Sequence, residues 1–224
     1  MRGFNMPYID ISGWIETGMW QSVSNYPGAT ITDIPQPPEM QDGPPVYNQK
    51  LILSGQSGTY IETKAHVDQS APPVTDYPIG EFIMDCVVLR LDTKADNEPI
   101  TLQELEALDT QVPENAAVLL ATGWDRHWHH ATHFMDASPY ITAEAARWIF
   151  TKKPRLLGAD IPRFDYPLQP VFPWPAFWNH VRYLLAPVTN IHQNTFTRGR
   201  LFCLPLKIRG AMCSPVRAIL EVPP

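Results

Sequence analysis

The chain is 224 residues long and carries 17 Lys and Arg against 23 Asp and Glu, a net charge of −6. That acidic balance, with no run of basic residues, argues against nucleic acid and anionic membrane as partners, and no apolar run approaches the length of a membrane span. An apolar share of 44% is ordinary for a globular protein, and the length suits a single domain over residues 1–224 with a full core.

The first eleven residues hold no apolar leader of the secretory type, which predicts a cytoplasmic protein. Cys86, Cys203 and Cys213 form no Cys-x-x-Cys pair, and the first two sit in apolar runs as small buried hydrophobes. Twenty-four prolines predict many loops and few long helices. Tyr8-Ile9-Asp10-Ile11-Ser12 alternates as a first strand, and Asn25-Tyr26-Pro27-Gly28 closes a loop rich in Trp and Met. Residues 35–45 are Pro-rich without periodicity and read as surface loop. Beyond the stretch 56–66, residues 86–91 read as a buried strand. Thr101 then caps a helix; Glu104 three residues on completes a capping box, and Leu102, Leu105 and Leu108 form the apolar face. Residues 117–121 are a second buried strand, ending at Thr122-Gly123-Trp124. Residues 142–149 are rich in helix formers, 156–160 read as a short strand, 176–185 as a helix and 201–206 as the start of the last strand. Strands and helices alternate with no internal repeat or linker, which predicts one mixed α/β domain.

The densest chemistry lies in Gln56-Ser57-Gly58-Thr59-Tyr60-Ile61-Glu62-Thr63-Lys64-Ala65-His66. If Tyr60-Ile61-Glu62 is extended, Tyr60 and Glu62 share one face. Gly58 permits a bend just before them, and His66 re-enters the same pocket. On composition alone, an edge strand with a solvated Glu and a surface His is the blander alternative. His127, His129, His130 and His133 crowd one segment; their density suits a metal, but the adjacency of two of them and the lack of sulfur favour a solvated loop. His66, His180 and His192 are scattered. Trp14, Trp20, Tyr26, Trp174 and Trp178 are candidates for an aromatic pocket wall or for core. Ser54-Gly55-Gln56-Ser57-Gly58 lacks the first Gly of a nucleophile elbow, and no Gly-rich loop is built to cradle phosphate.

The 56–66 stretch resembles the signature His-x-Gly-Thr-His-x-Asp-x-Pro-x-His of the cyclase family, to which bacterial kynurenine formamidase and isatin hydrolase belong. Gly58-Thr59 match its Gly-Thr, Glu62 its carboxylate and His66 its last His. Gln56, Tyr60 and Lys64 stand where it has His, His and Pro. The opening Asp10-x-Ser12 with Tyr26-Pro27-Gly28, then Thr122-Gly123-Trp124, Arg163-Phe164-Asp165 and Ser214-Pro215-Val216-Arg217-Ala218 also resemble family patterns, so the likeness runs from about residue 9 to 219. It implies a swivelling β/β/α fold with a mixed sheet, assembled as a homodimer or higher homo-oligomer, with a small-molecule substrate.

His180-Val181-Arg182-Tyr183-Leu184-Leu185, followed by His192, resembles the family's second ligand block, with His192 where the family has Glu. The resemblance then implies one divalent metal ion, zinc or manganese, on Glu62, His180 and His192, because Gln56 and Tyr60 remove the imidazoles of a first metal position. Such an ion activates water, His66 carries the proton to the leaving group, and Tyr60 and Gln56 steady the oxyanion. The implied reaction is hydrolysis of a cyclic or aryl amide, or a lactone, with Arg163 or Lys64 as partner to an acid group. Two alternatives stay open: a metal-free hydrolase with Glu62 as base, and a catalytically inactive relative that only binds a small molecule.

Overall fold

A computed structural model describes residues 8–222 apart from Ser24, Gln41 and Asp109; residues 1–7, most of the stretch read for a leader, lie outside the described residues. The chain opens on β1 (Tyr8–Asp10), the strand expected there. A hairpin of β2 (Thr30–Ile34) and β3 (Asn48–Ile52) follows. The sequence pattern does not announce it, because every residue of β3 is exposed and no apolar alternation marks a buried face. Residues 35–45 lie in the connection between these two strands, with one 3-10 turn at Pro38–Met40.

Next come β4 (Tyr60–Glu62), β5 (Ile83–Arg90), β6 (Pro99–Ile100) and α1 (Leu102–Ala107). The capping box of α1 is present: Thr101 Oγ1 accepts from the Glu104 N–H at 3.3 Å, and Glu104 Oε2 accepts from the Thr101 N–H at 2.9 Å. Then β7 (Ala117–Ala121), α2 (Ala131–Asp136), β8 (Tyr140–Ile141), α3 (Ala143–Thr151) and β9 (Leu156–Ala159) lead to α4 (Trp174–His180). The helix expected over 176–185 therefore ends early, and β10 (Tyr183–Ala186) takes its second half. A short apolar run such as Tyr183-Leu184-Leu185-Ala186 fits helix or strand by periodicity alone; pairing with β9 on one side and β4 on the other decides for strand. The closing strand is likewise two, β11 (Arg198–Pro205) and β12 (Cys213–Glu221).

Eight of these strands form one sheet in the order β1-β12-β11-β5-β7-β9-β10-β4, and β4 pairs again with β12, so the sheet closes. Pairs β5–β7, β7–β9 and β9–β10 are parallel, while β4, β11 and β12 run antiparallel to their neighbours. This bears out the expected α/β fold with a mixed sheet. Strand alternation sorts the apolar residues onto two faces. Val88, Leu119, Leu156, Leu185, Ile61, Cys203 and Leu220 pack together inside the closed sheet. Val87, Leu120, Leu157 and Leu184 face outward and are covered by Leu105 of α1, Ile149 and Phe150 of α3 and Phe177 of α4. Buried aliphatic side chains of this size contribute about 1.5–3 kcal/mol each relative to exposure, and the two layers together hold the strand ends in place.

Candidate active site

β4 is not an edge. It is paired on both sides, to β10 and to β12, and all three of its residues are buried. The chain reaches it through Gly58, whose φ of +67° is open to glycine and whose absent Cβ leaves room for Ile15, which an added carbon would meet at 2.5 Å. Thr59 locks the entry: its Oγ1 accepts from the Gly13 N–H at 3.0 Å and donates to the Pro187 carbonyl at 2.6 Å. Tyr60 and Glu62 then share one face, and Ile61 faces the enclosed core.

Register decides what stands beside them. Across β10, Leu184 is opposite Glu62 and Ala186 opposite Tyr60; across β12, Cys213 is opposite Glu62. Directly opposed residues on antiparallel strands hold their Cβ atoms about 4.5–5.5 Å apart on the same face. A 3-10 turn at Lys64–His66 then folds His66 back over the pair. The outcome is a cluster of Glu62, His66 and Cys213 whose ligand atoms all lie within 4.8 Å of one another. Cys213 Sγ is 3.4 Å from His66 Nδ1 and donates to Glu62 Oε2 at 3.6 Å. Gln56 Nε2 donates to Glu62 Oε2 at 2.8 Å, and Gln56 Oε1 accepts from Ser22 Oγ at 2.8 Å, which fixes both the amide and the carboxylate.

Gln56, Tyr60, Glu62 and His66 line one cavity of about 400 Å³, whose walls are Phe164, Trp174, Trp178 and Leu184. The loop after β9 brings Phe164, and the start of α4 brings Trp174. Asp165 holds the two together: its Oδ1 accepts from the N–H groups of Tyr166, Val171 and Phe172, and its Oδ2 from Trp174 Nε1. Phe164 and Trp174 consequently lie parallel, with ring centres 6.2 Å apart. Of the other aromatic candidates, Trp20 packs edge-on against Trp128 in the core, whereas Trp14 and Tyr26 are exposed.

Burial dominates the electrostatics of the cluster. It raises the Glu62 carboxyl above its ordinary range, although His66 and Gln56 pull the other way. Burial, reinforced by the Glu62 charge, raises the Tyr60 phenol further still and keeps it protonated. Cys213 is pushed up for the same two reasons. A divalent cation among these three donors reverses the balance for carboxylate and thiol, both of which bind metals as anions. The donor set fits such an ion: one oxygen, one nitrogen and one sulfur converge, and two of the three residues face the cavity. Three protein ligands with an open fourth position is the arrangement of catalytic zinc sites.

His180 and His192 do not join Glu62. His180 ends α4, where its ring stacks on Phe150 at 5.4 Å and lines a different, basic cavity with Lys153, Arg155 and Arg182. The chain turns into β10 within three residues, and Trp178 lines both this cavity and the one that holds Glu62. His192 lies in a third cavity, over Gly123, with Nε2 3.4 Å from Thr93 Oγ1. His180 and His192 thus lie in cavities apart from Glu62, and the donors that converge on Glu62 are His66 and Cys213. Among the described residues the crowded histidines near residue 130 form no metal-binding group; His133 instead faces Asp96 at 3.3 Å.

A sequence profile described as putative cyclase matches residues 9–166. The chain belongs to the cyclase family. This cyclase-family chain is 26% identical over 214 residues to the kynurenine formamidase of Bacillus cytotoxicus, covering 94% of this chain and 98% of that protein. Among solved structures it is similar to an isatin hydrolase bound to the product analogue thioisatinate, with a TM-score of 0.80 at 22% identity over 97% of this chain and 92% of the other. A protein described as a potential metal-dependent hydrolase with cyclase activity aligns at a TM-score of 0.70 and 20% identity, over 97% and 98% of the two chains. At these identities the likeness to solved structures is one of fold.

Cys213 is the site residue that sequence reasoning missed. It stands beside the recognised Ser214-Pro215-Val216-Arg217-Ala218, but 151 residues separate it from Glu62, and only strand register joins the two.

Proposed function

We propose that this cyclase-family protein is a hydrolase that opens a cyclic or aryl amide, or a lactone, in the cavity above Glu62 and His66. The observation that carries the reading is the convergence of Glu62, His66 and Cys213, the first two of which line an aromatic-walled cavity. The names of its relatives, kynurenine formamidase and isatin hydrolase, support a hydrolase acting on an amide.

Glu62, His66 and Cys213 would hold one divalent cation, and the sulfur donor favours zinc over manganese. When bound, such an ion lowers the pKa of water and polarises a carbonyl. The chain's own groups do the rest. Tyr60 keeps its proton and donates it as a hydrogen bond to the substrate carbonyl oxygen, where negative charge develops. Gln56 holds Glu62 in one orientation and is itself held by Ser22. Phe164, Trp174 and Trp178 bracket the ring of the substrate and keep bulk water away from the scissile bond. Turnover of a panel of formamides, lactones and cyclic imides tests the proposal. Hydrolysis that falls to background in both Glu62→Gln and Cys213→Ala supports it, and a panel bound without turnover sinks it.

A second reading rests on the hydrogen-bonded contact between His66 Nδ1 and Cys213 Sγ and on the raised Glu62 pKa. Here Glu62 takes a proton from water as general base and His66 passes one to the leaving group. Full activity after exhaustive chelation selects this reading over the first.

A homo-oligomer completes the proposal. Among the described residues β2 and β3 pair only with each other, and Ile34, Tyr47, Leu51 and Ile52 on or beside them are exposed. An isolated two-stranded hairpin is marginal in water, and a second copy of the chain would cover it. Among the described residues no helix is long and apolar enough to cross a membrane.

A further inference from the structure

The cavity carries a cation that nothing in the reaction uses. Arg163 lines it beside the aromatic wall, half-buried, and its side chain enters no ion pair or hydrogen bond among the described residues. The neighbouring carboxylate is not its partner, because Asp165 is occupied by four N–H donors from the loop it organises. The other candidate cation, Lys64, is drawn away to Asp68 at 3.2 Å and lines the separate basic cavity.

Arg163 is also well anchored. On one side Asp160 accepts from the N–H groups of Thr122 and Gly123 and from the Thr122 hydroxyl. On the other, the Phe164 carbonyl accepts from the Ile141 N–H at 2.9 Å. The guanidinium is therefore presented from a backbone fixed before binding, so the ordering cost when a ligand arrives is confined to the side chain. A planar, unpaired fork of donors beside an aromatic wall is a receptor for a compact oxyanion.

We infer that the substrate is an aromatic amide or lactone bearing a carboxylate or similar compact oxyanion, and that Arg163 is the specificity-determining residue that binds it while Trp174 and Trp178 hold the ring. The assignment rests on reading this cavity as the substrate site, but not on turnover.

Two measurements separate it from the hydrolase proposal. In chelator-treated protein, quenching of tryptophan fluorescence reports the binding of benzoate and of benzamide. Benzoate is expected to bind about 10- to 100-fold more tightly, the range of a charge-assisted hydrogen bond. Arg163→Gln should erase that preference and Arg163→Lys should keep part of it, with both variants folded by circular dichroism. Equal binding of the two probes by the wild type, or an undiminished benzoate preference in Arg163→Gln, overturns the inference. Turnover of 4-formamidobenzoate against formanilide gives the second readout: Arg163→Gln should raise KM for the first alone and leave kcat for both. A KM rise shared by both substrates also overturns it. Should neither be turned over while the Arg163-dependent preference for benzoate holds, the hydrolase reading falls and the anion site stands.

Discussion

Replacing Cys213 by Ala separates the cluster from the fold around it. The substitution removes one sulfur whose two polar contacts are long, 3.4 Å to His66 and 3.6 Å to Glu62, from a residue that is only partly buried. Loss of that much burial costs about 1 kcal/mol, which lowers the melting temperature of a domain this size by about 2–4 °C. The consequence for the metal is of another order. Loss of a residue that merely orients a ligand weakens metal binding by about 10- to 100-fold, so loss of one of three direct donors should exceed that. Competition with a chromophoric chelator measures the affinity, and a thermal scan of the metal-free protein measures the stability. The expected outcome is zinc affinity reduced more than about 100-fold with the melting temperature nearly kept. Zinc affinity unchanged within experimental scatter would refute the assignment of Cys213 as a donor.

Other substitutions probe the neighbours. If His66 transfers the proton, as in the second reading, His66→Ala should cut turnover by about 10²–10⁴; steady-state rates within a factor of about two of wild type remove His66 from that role. Tyr60→Phe deletes one donor to the developing oxyanion and should cost about 2.7–4 kcal/mol in kcat, with little change in KM. Asp160 makes the fold pH-sensitive. Burial, with the Asp125 charge second, raises its carboxyl from 3.8 to about 7. Because the folded form holds the proton more tightly, the stabilisation is present below pH 3.8 and is lost as the pH rises to about 7. Denaturant titrations across that range should show stability falling with pH, and Asp160→Asn should flatten the slope; an unchanged slope rejects the cause.

How far the sequence could be read follows from what each residue depends on. The capping box at Thr101 and Glu104 is a local device, complete within four residues, and it is found where expected. The strands 117–121 and 156–159 are buried on both faces and read as unbroken apolar runs. Placing Gln56, Tyr60, Glu62 and His66 in one cavity needed only a strand's alternation and one turn. The third member of the cluster needed more. Cys213 meets Glu62 because β12 closes the sheet onto β4, a register that no local pattern encodes. His180 goes astray for a related reason: its helix stops and a strand begins within three residues, which turns the ring to Phe150 instead of the cavity. Arg163 and Lys64 are equivalent as cations in sequence; the fold separates them, placing Arg163 in the cavity and Lys64 outside it, paired with Asp68.

The most direct test is a crystal of the protein grown with zinc and measured at the zinc absorption edge. One anomalous peak is predicted per chain, within about 2.0–2.3 Å of Glu62, His66 and Cys213 together. No peak there, or a peak seated instead at His180 or His192, would contradict the account.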